Sequence, residues 1–132
     1  NLTFDDSTQV LNITGKANVS TSLTIGNTAI AWGTATTSAT TPNQTIASVS
    51  VTGVTGIEFL VKGVDAGAGK YSVATVQAVT DGSSVDYTTF STVNIGGYTG
   101  SLAVNISGGY VRLQVTPASS NATVWTTQYR LI

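Results

Sequence analysis

The stretch GIEFLVKGVDAGAGKYSVATVQAVTDG, residues 56–82, decides the fold class. Its first part places Ile57, Phe59 and Val61 at every second position, with Glu58 and Lys62 on the opposite, outward face. A period of two, in a run rich in β-branched and aromatic residues, predicts a strand that packs on a core by one face. The Gly/Ala loop that follows predicts a hairpin into a second strand, which ends at an Asp-Gly turn signal.

The same alternation recurs through the rest of the chain, and no segment shows the spacing of an amphipathic helix. Turn signals follow one another every eight to twelve residues or so, as in sandwiches. This pattern predicts seven or so strands in an all-β, antiparallel β-sandwich of jelly-roll-like type. The alternating segments outside the opening stretch are residues 44–52, 85–95, 101–107, 110–117 and 121–132. The alternation that reaches Ile132 predicts a C-terminus paired into a sheet at the end of the protein.

A short β segment precedes the predicted sandwich. Two alternating stretches, residues 2–4 and 10–13, flank the polar turn of residues 5–8 and predict a hairpin. The Thr/Ala/Ser-rich stretch of residues 28–44 contains Pro42 and is either an edge strand or a linker. We therefore expect an N-terminal docking or shaft-like segment in residues 1–30 and a sandwich domain in residues 31–132.

The composition argues against catalytic activity and metal binding. Only 8% of the 132 residues are charged, the net charge is −1, and the chain contains no His, Cys or Met. The commonest general base, the commonest metal ligand and thiolate chemistry are therefore missing. We expect no enzyme activity, no catalytic residue, no cofactor and no metal. The low charge predicts no binding to nucleic acid, and no apolar run is long enough for membrane insertion.

Three motifs have both a functional and a structural interpretation. The segment DAGAGK, residues 65–70, resembles a phosphate-binding loop but lacks its first glycine and its Ser/Thr, so a hairpin loop is favoured. The pairs Asp5/Asp6 and Asp81/Asp86 are typical of turns, without the spacing of a calcium site. Six Asn-x-Ser/Thr sequons are expected by chance in so Asn- and Thr-rich a chain.

Aromatic side chains on the predicted strands are the candidate contact residues. They would either stack on a sugar or pack between subunits. If Trp125 and Tyr129 share a face with Leu131, we expect them to be buried. The candidates for glycan or inter-subunit contact are Trp32, Tyr98, Tyr110, Trp125 and Tyr129.

Two regions carry a family resemblance. The opening NLTFDDSTQVLNITG and the following ANVSTSLTIG, residues 1–26, resemble segments of virion structural proteins of tailed bacteriophages, especially marine cyanophages. In those proteins the pattern N-L-T-F-x-x-S-T-x-x-L-x-[IV]-T-G recurs. The region from YSVATVQAVTDGSSVDYTTF through ISGGYVRLQVTPASSNATVW to the end looks like the terminal domain of many such proteins.

The resemblance implies a structural role in a virion, as a fibre, a tail appendage or a capsid decoration. It also implies self-association through β-strand contacts, frequently as a homotrimer, with other virion proteins as further partners. A carbohydrate-binding or adhesin module that contacts host surface glycans is the alternative, because of the aromatic residues and the hydroxyl-rich surface. An exported cell-surface or pilus-like β module is a third hypothesis.

Overall fold

The structure, a computed structural model, describes residues 2–5, 7, 10–25 and 28–132. In this part of the chain no helix is long and apolar enough to cross a membrane. Asp6 and Thr8 of the predicted turn, and Gly26 near the predicted boundary, lie outside the described residues. The strands are β1 (Leu2–Asp5), β2 (Val10–Ile13), β3 (Ser22–Ile25), β4 (Thr28–Thr37), β5 (Gln44–Ser50), β6 (Gly56–Asp65), β7 (Lys70–Thr80), β8 (Val85–Ile95), β9 (Gly100–Ser107), β10 (Tyr110–Pro117) and β11 (Thr123–Leu131).

Two antiparallel sheets pack as a sandwich, which confirms the predicted fold class. The large sheet has the order β3-β4-β11-β6-β7-β8, and the small sheet has the order β5-β10-β9. The pairing of β4 with β11 and of β5 with β10 joins the beginning of the sandwich to its end, as in a jelly roll. Strands β6, β7 and β8 instead follow one another as a meander. Strands β1 and β2 form a separate hairpin.

The core lies between the inner faces of the two sheets. Phe59 and Val76 from the large sheet and Val111, Leu113 and Val115 from the small sheet are fully buried. These side chains occupy alternate positions of their strands, so a single register of pairing brings all of them into the core. The inward face predicted for the opening stretch is confirmed, since Ile57 and Val61 are buried as well.

The first part of the Thr/Ala/Ser-rich stretch forms β4 and is therefore not a linker; among the described residues β3 covers only Thr28–Ala31, so the remainder of β4 lies at the edge of the sheet. Strand β4 lies between β3 and β11, and its pairing with β11 runs without interruption from Thr123–Thr37 to Leu131–Ala29. Pro42 lies beyond the end of β4, so every backbone N–H of the strand remains available for the ladder. The last residue is also paired, since the Ile132 N–H donates to the Gly56 carbonyl at 2.9 Å.

Candidate functional site

The outer face of the large sheet carries most of the exposed apolar side chains. Alternate residues of its strands point away from the small sheet. Among the described residues, seventeen large apolar or aromatic side chains are exposed, and eleven of them lie on this face. The eleven are Leu23, Ile25, Ile30, Trp32, Leu60, Tyr71, Val79, Phe90, Val93, Ile95 and Val124.

Two apolar patches lie at opposite sides of this outer face. The register of β3 and β4 gathers the first, the N-terminal patch, consisting of Leu23, Ile25, Ile30 and Trp32. The register of β6, β7 and β8 gathers the second, the hairpin patch, consisting of Val64, Tyr71, Val73, Val93 and Ile95. Direct cross-strand pairs such as Tyr71–Ile95 and Val73–Val93 make the hairpin patch continuous.

A more polar band separates the two patches. On the middle strands, Arg130 Nη2 donates to Glu58 Oε1 at 2.7 Å, and Gln77 Nε2 donates to Glu58 Oε2 at 3.2 Å. The Arg130 side chain is 57% exposed and that of Glu58 30%, so this ion pair adds little to the stability of the isolated chain. The ion pair lies between the two patches, so the outer face has one apolar patch on each side of a polar band.

The outer face of the small sheet is different in composition. Its cross-strand rows consist mainly of hydroxyl and amide side chains, with a single cation. Tyr110, at the start of β10, is the large exposed aromatic side chain on this face. Its other members include Ser48, Ser50, Ser101, Asn105 and Arg112. The two outer faces of the sandwich therefore differ in polarity, although both are uncovered in the single chain.

Two of the five candidate aromatic residues face the core. Trp125 is 2% exposed, and its indole N–H donates to the Thr37 hydroxyl at 2.9 Å, so it is closed to a glycan or a second chain. Tyr129 is partly buried, and its ring lies 5.9 Å from that of Phe59 between centroids. Both share the inner face of β11 with Leu131, which is the arrangement for which burial was expected.

The other three candidates are exposed but do not lie together. Trp32 belongs to the N-terminal patch and is 53% exposed. Tyr110 is on the outer face of the small sheet, and Tyr98 follows the Gly96-Gly97 turn between β8 and β9. The structure thus offers three separate aromatic surfaces and no common platform made of all five residues.

A buried carboxylate with distant partners is a feature that the sequence did not reveal. Asp65 is 1% exposed; it accepts hydrogen bonds from the Ser119 hydroxyl at 2.5 Å, the Asn121 amide at 3.1 Å and the Ala68 N–H at 2.9 Å. The Ser119 hydrogen bond is the main cause that holds the pKa of Asp65 below its ordinary value of 3.8, against the effect of burial. The segment DAGAGK is the β6–β7 hairpin, and this carboxylate ties it to the loop before β11.

Asp81 has a structural role in a turn. Asp81 Oδ1 accepts the N–H groups of Ser83 and Ser84 at 2.8 and 2.7 Å, which closes the β7–β8 turn. These hydrogen bonds lower the pKa of Asp81. In the described part of the chain, no group of three or more His, Cys, Asp or Glu residues is placed to hold a metal ion.

A cleft opens between the two sheets beside Tyr98. It has a volume of about 530 Å³ and is bounded by β6, β7 and β8 on one side and by β9 and the end of β10 on the other. Gly63 and Trp125 lie at its buried side, while Thr89, Thr92 and Tyr98 are exposed along it.

Comparison with known proteins gives a limited result. No protein-family model matches the chain. No curated protein matches it. The chain is similar to part of a crystal structure titled as tailspike protein gp49 from Acinetobacter baumannii bacteriophage Fri1, a capsular polysaccharide depolymerase, with 15% identity and a TM-score of 0.44. The similarity covers 83% of this chain and 19% of the tailspike chain, and at this level it assigns no function.

Proposed function

We propose that the chain is a structural component of a phage virion, in a fibre, a tail appendage or a capsid decoration, and that it assembles with copies of itself. The single observation that carries the self-assembly is the apolar outer face of the large sheet. The resemblance of residues 1–26 and of the C-terminal third to virion structural proteins supports the location in a virion. Other virion proteins are then further partners.

The size of the outer face fits a stable interface. Five long strands spaced about 4.8 Å apart, each rising about 3.3 Å per residue over some ten residues, cover roughly 800 Å². That is about the area that each partner contributes to a standard protein interface. Exposed apolar patches that are bordered by polar residues mark protein–protein interaction sites, which favours a partner for this face.

A second copy of the chain is the partner that the arrangement favours. The N-terminal patch and the hairpin patch are different surfaces at opposite sides of one face. In a twofold dimer the N-terminal patch of each chain contacts the hairpin patch of the other, and in a ring each chain joins its N-terminal patch to the hairpin patch of the next, so both symmetries bury the two patches. Among these we propose the homotrimer, with β-strand contacts between neighbouring sheets, because the resemblance to virion structural proteins implies it.

The test measures the mass of the chain in solution with a matched pair of variants. We expect sedimentation velocity at micromolar concentration to give three times the 13.4 kDa chain mass. Val93 and Ile95 are 63% and 72% exposed, so Val93→Asp with Ile95→Asp removes much of the apolar area of the hairpin patch. Complete burial of such a side chain contributes about 1.5–3 kcal/mol, so the loss for both is about 2–4 kcal/mol per interface. Association then weakens roughly 30-fold or more.

The control is Tyr110→Asp, which replaces an exposed apolar surface by a negative charge on the outer face of the small sheet, at a residue that is 47% exposed. We expect this variant to keep the mass of the unmodified chain. A monomeric unmodified chain would contradict the proposal. A double variant that assembles like the unmodified chain would show that another surface joins the copies.

A further inference from the structure

The cleft beside Tyr98 has the properties of a preformed binding site. Its volume of about 530 Å³ lies within the usual range for small-ligand sites. It opens between β6, β7 and β8 of the large sheet and β9 with the end of β10 of the small sheet. Val61, Gly63 and Trp125 close its buried side.

Tyr98 is held in place by its neighbours in the chain. The following residue, Thr99, is fully buried, its hydroxyl is hydrogen-bonded to that of Ser72, and its carbonyl accepts the Ala118 N–H at 2.9 Å. On the other side, Gly96 has a positive φ of 73° and packs so closely on the Gly69 carbonyl that no Cβ would fit. Tyr98, which is 54% exposed as a residue, is therefore presented by a fixed segment.

The chemistry of the lining selects the class of ligand. None of the described residues that line the cleft carries a formal charge. Its exposed polar groups include the hydroxyls of Thr89 and Thr92, each of which both donates and accepts hydrogen bonds. Apolar side chains and the Tyr98 ring form the rest of its open surface. Hydroxyl groups beside an aromatic face match an uncharged sugar ring, which has hydroxyls at its rim and C–H groups on its faces.

We propose that this cleft binds one unit of a neutral saccharide, with the Tyr98 ring stacked on the sugar. The proposal goes beyond self-assembly, because the cleft and the outer face of the large sheet are separate surfaces. It also assigns glycan contact to Tyr98 rather than to Trp125, which is buried.

The experiment titrates the full chain with maltohexaose, cellohexaose and mannohexaose, and with oligogalacturonate as the charged comparison, followed by NMR or calorimetry at millimolar ligand. We expect at least one neutral hexaose to bind and oligogalacturonate to bind more weakly. Tyr98→Ala should weaken binding about tenfold or more, since a lost stacking contact of about 1.4 kcal/mol corresponds to that factor. Tyr98→Phe keeps the ring and should retain binding.

Tyr110→Ala is the matched control, because it removes the same type of side chain, at a residue that is 47% exposed, from the small sheet. It should bind like the unmodified chain, and all variants should keep the same thermal midpoint and mass. Absence of binding by every neutral hexaose would overturn the proposal, as would a preference for oligogalacturonate. Binding that survives Tyr98→Ala would place the site elsewhere, and loss of assembly in that variant would make the cleft a subunit contact. Because the mass is measured separately, failure of saccharide binding leaves the self-assembly result intact.

Discussion

Glycine to alanine substitutions at two positions of the large sheet are expected to change stability in opposite directions. Gly63 on β6 and Gly33 on β4 both occupy inward-facing positions of the same sheet. A Cβ atom at Gly63 would overlap the Thr99 hydroxyl and come within 2.6 Å of Trp125 Cζ3. A Cβ atom at Gly33 would meet no atom within 4 Å.

The magnitude follows from what would have to move. At Gly63, the indole ring must shift by about 1 Å to reach ordinary contact, but it is buried and hydrogen-bonded to Thr37. Overpacking of this kind costs typically about 1–3 kcal/mol. Because the Thr99 hydroxyl must move as well, the cost lies in the upper half of that range, about 2–3 kcal/mol. Subtracting a gain of about 1 kcal/mol from the reduced entropy of the unfolded chain leaves a net loss of about 1–2 kcal/mol. At Gly33 nothing has to move, so only the stabilisation of about 0.4–1 kcal/mol from the reduced entropy of the unfolded chain remains.

The assay is thermal unfolding of both variants at one protein concentration, since the midpoint of an assembling protein depends on concentration. For a chain of this length about 4 °C corresponds to 1 kcal/mol, so Gly63→Ala should lower Tm by roughly 4–8 °C. Gly33→Ala should raise it by roughly 2–4 °C. A Gly63→Ala variant as stable as the unmodified chain would refute the tight packing of Trp125 over β6.

Further predictions concern buried polar groups. Thr37→Val should lower the free energy of unfolding by about 1–3 kcal/mol, because the Trp125 indole N–H loses its acceptor. Thr127→Val should raise the free energy of unfolding by about 1 kcal/mol, since among the described residues the Thr127 hydroxyl is buried without a partner. Denaturant titration measures both variants, and a change of the same sign in the two free energies would contradict these assignments. The lowered pKa of Asp65 means that its contribution to stability is complete above the unfolded value and is lost as pH falls below about 3.8 through the folded value. Ser119→Ala should therefore make the denaturation midpoint fall less as the pH is lowered through the pKa of Asp65. If the midpoint of this variant falls with pH as it does in the unmodified chain, the Ser119–Asp65 hydrogen bond does not lower that pKa.

The inner faces of the strands could be predicted from the sequence because burial imposes a period of two. Phe59 and Leu113 stand at the positions that the alternation assigned to the core. The role of residues 28–44 could not be predicted in this way, because Thr and Ala fit an edge, a linker or a central strand equally well. Their place beside β11 is set by a partner more than eighty residues away in the chain.

The candidate surfaces could be predicted less well from the sequence than the core, for two physical reasons. Strand β8 is apolar at Phe90, Val93 and Ile95 but also at residues on its other side, so periodicity alone does not show which face meets solvent. Asp65 looked like part of a surface loop because its hydrogen-bond partners Ser119 and Asn121 are distant in the chain. The sequence grouped the aromatic residues as candidates, but only the fold separates Trp125 in the core from Tyr98 at the cleft.

The two outer faces of the sandwich are formed by the same Thr- and Ser-rich chain but differ in polarity. With 8% charged residues, the chain has few charges with which to protect an apolar sheet face. The outer face of the small sheet is covered by hydroxyl and amide side chains, whereas the outer face of the large sheet exposes two apolar patches on either side of the Glu58–Arg130 pair. An assembly that buries the large sheet turns the small sheet towards solvent. The cleft at Tyr98 opens between the two sheets, so burial of the outer face leaves it open to a saccharide.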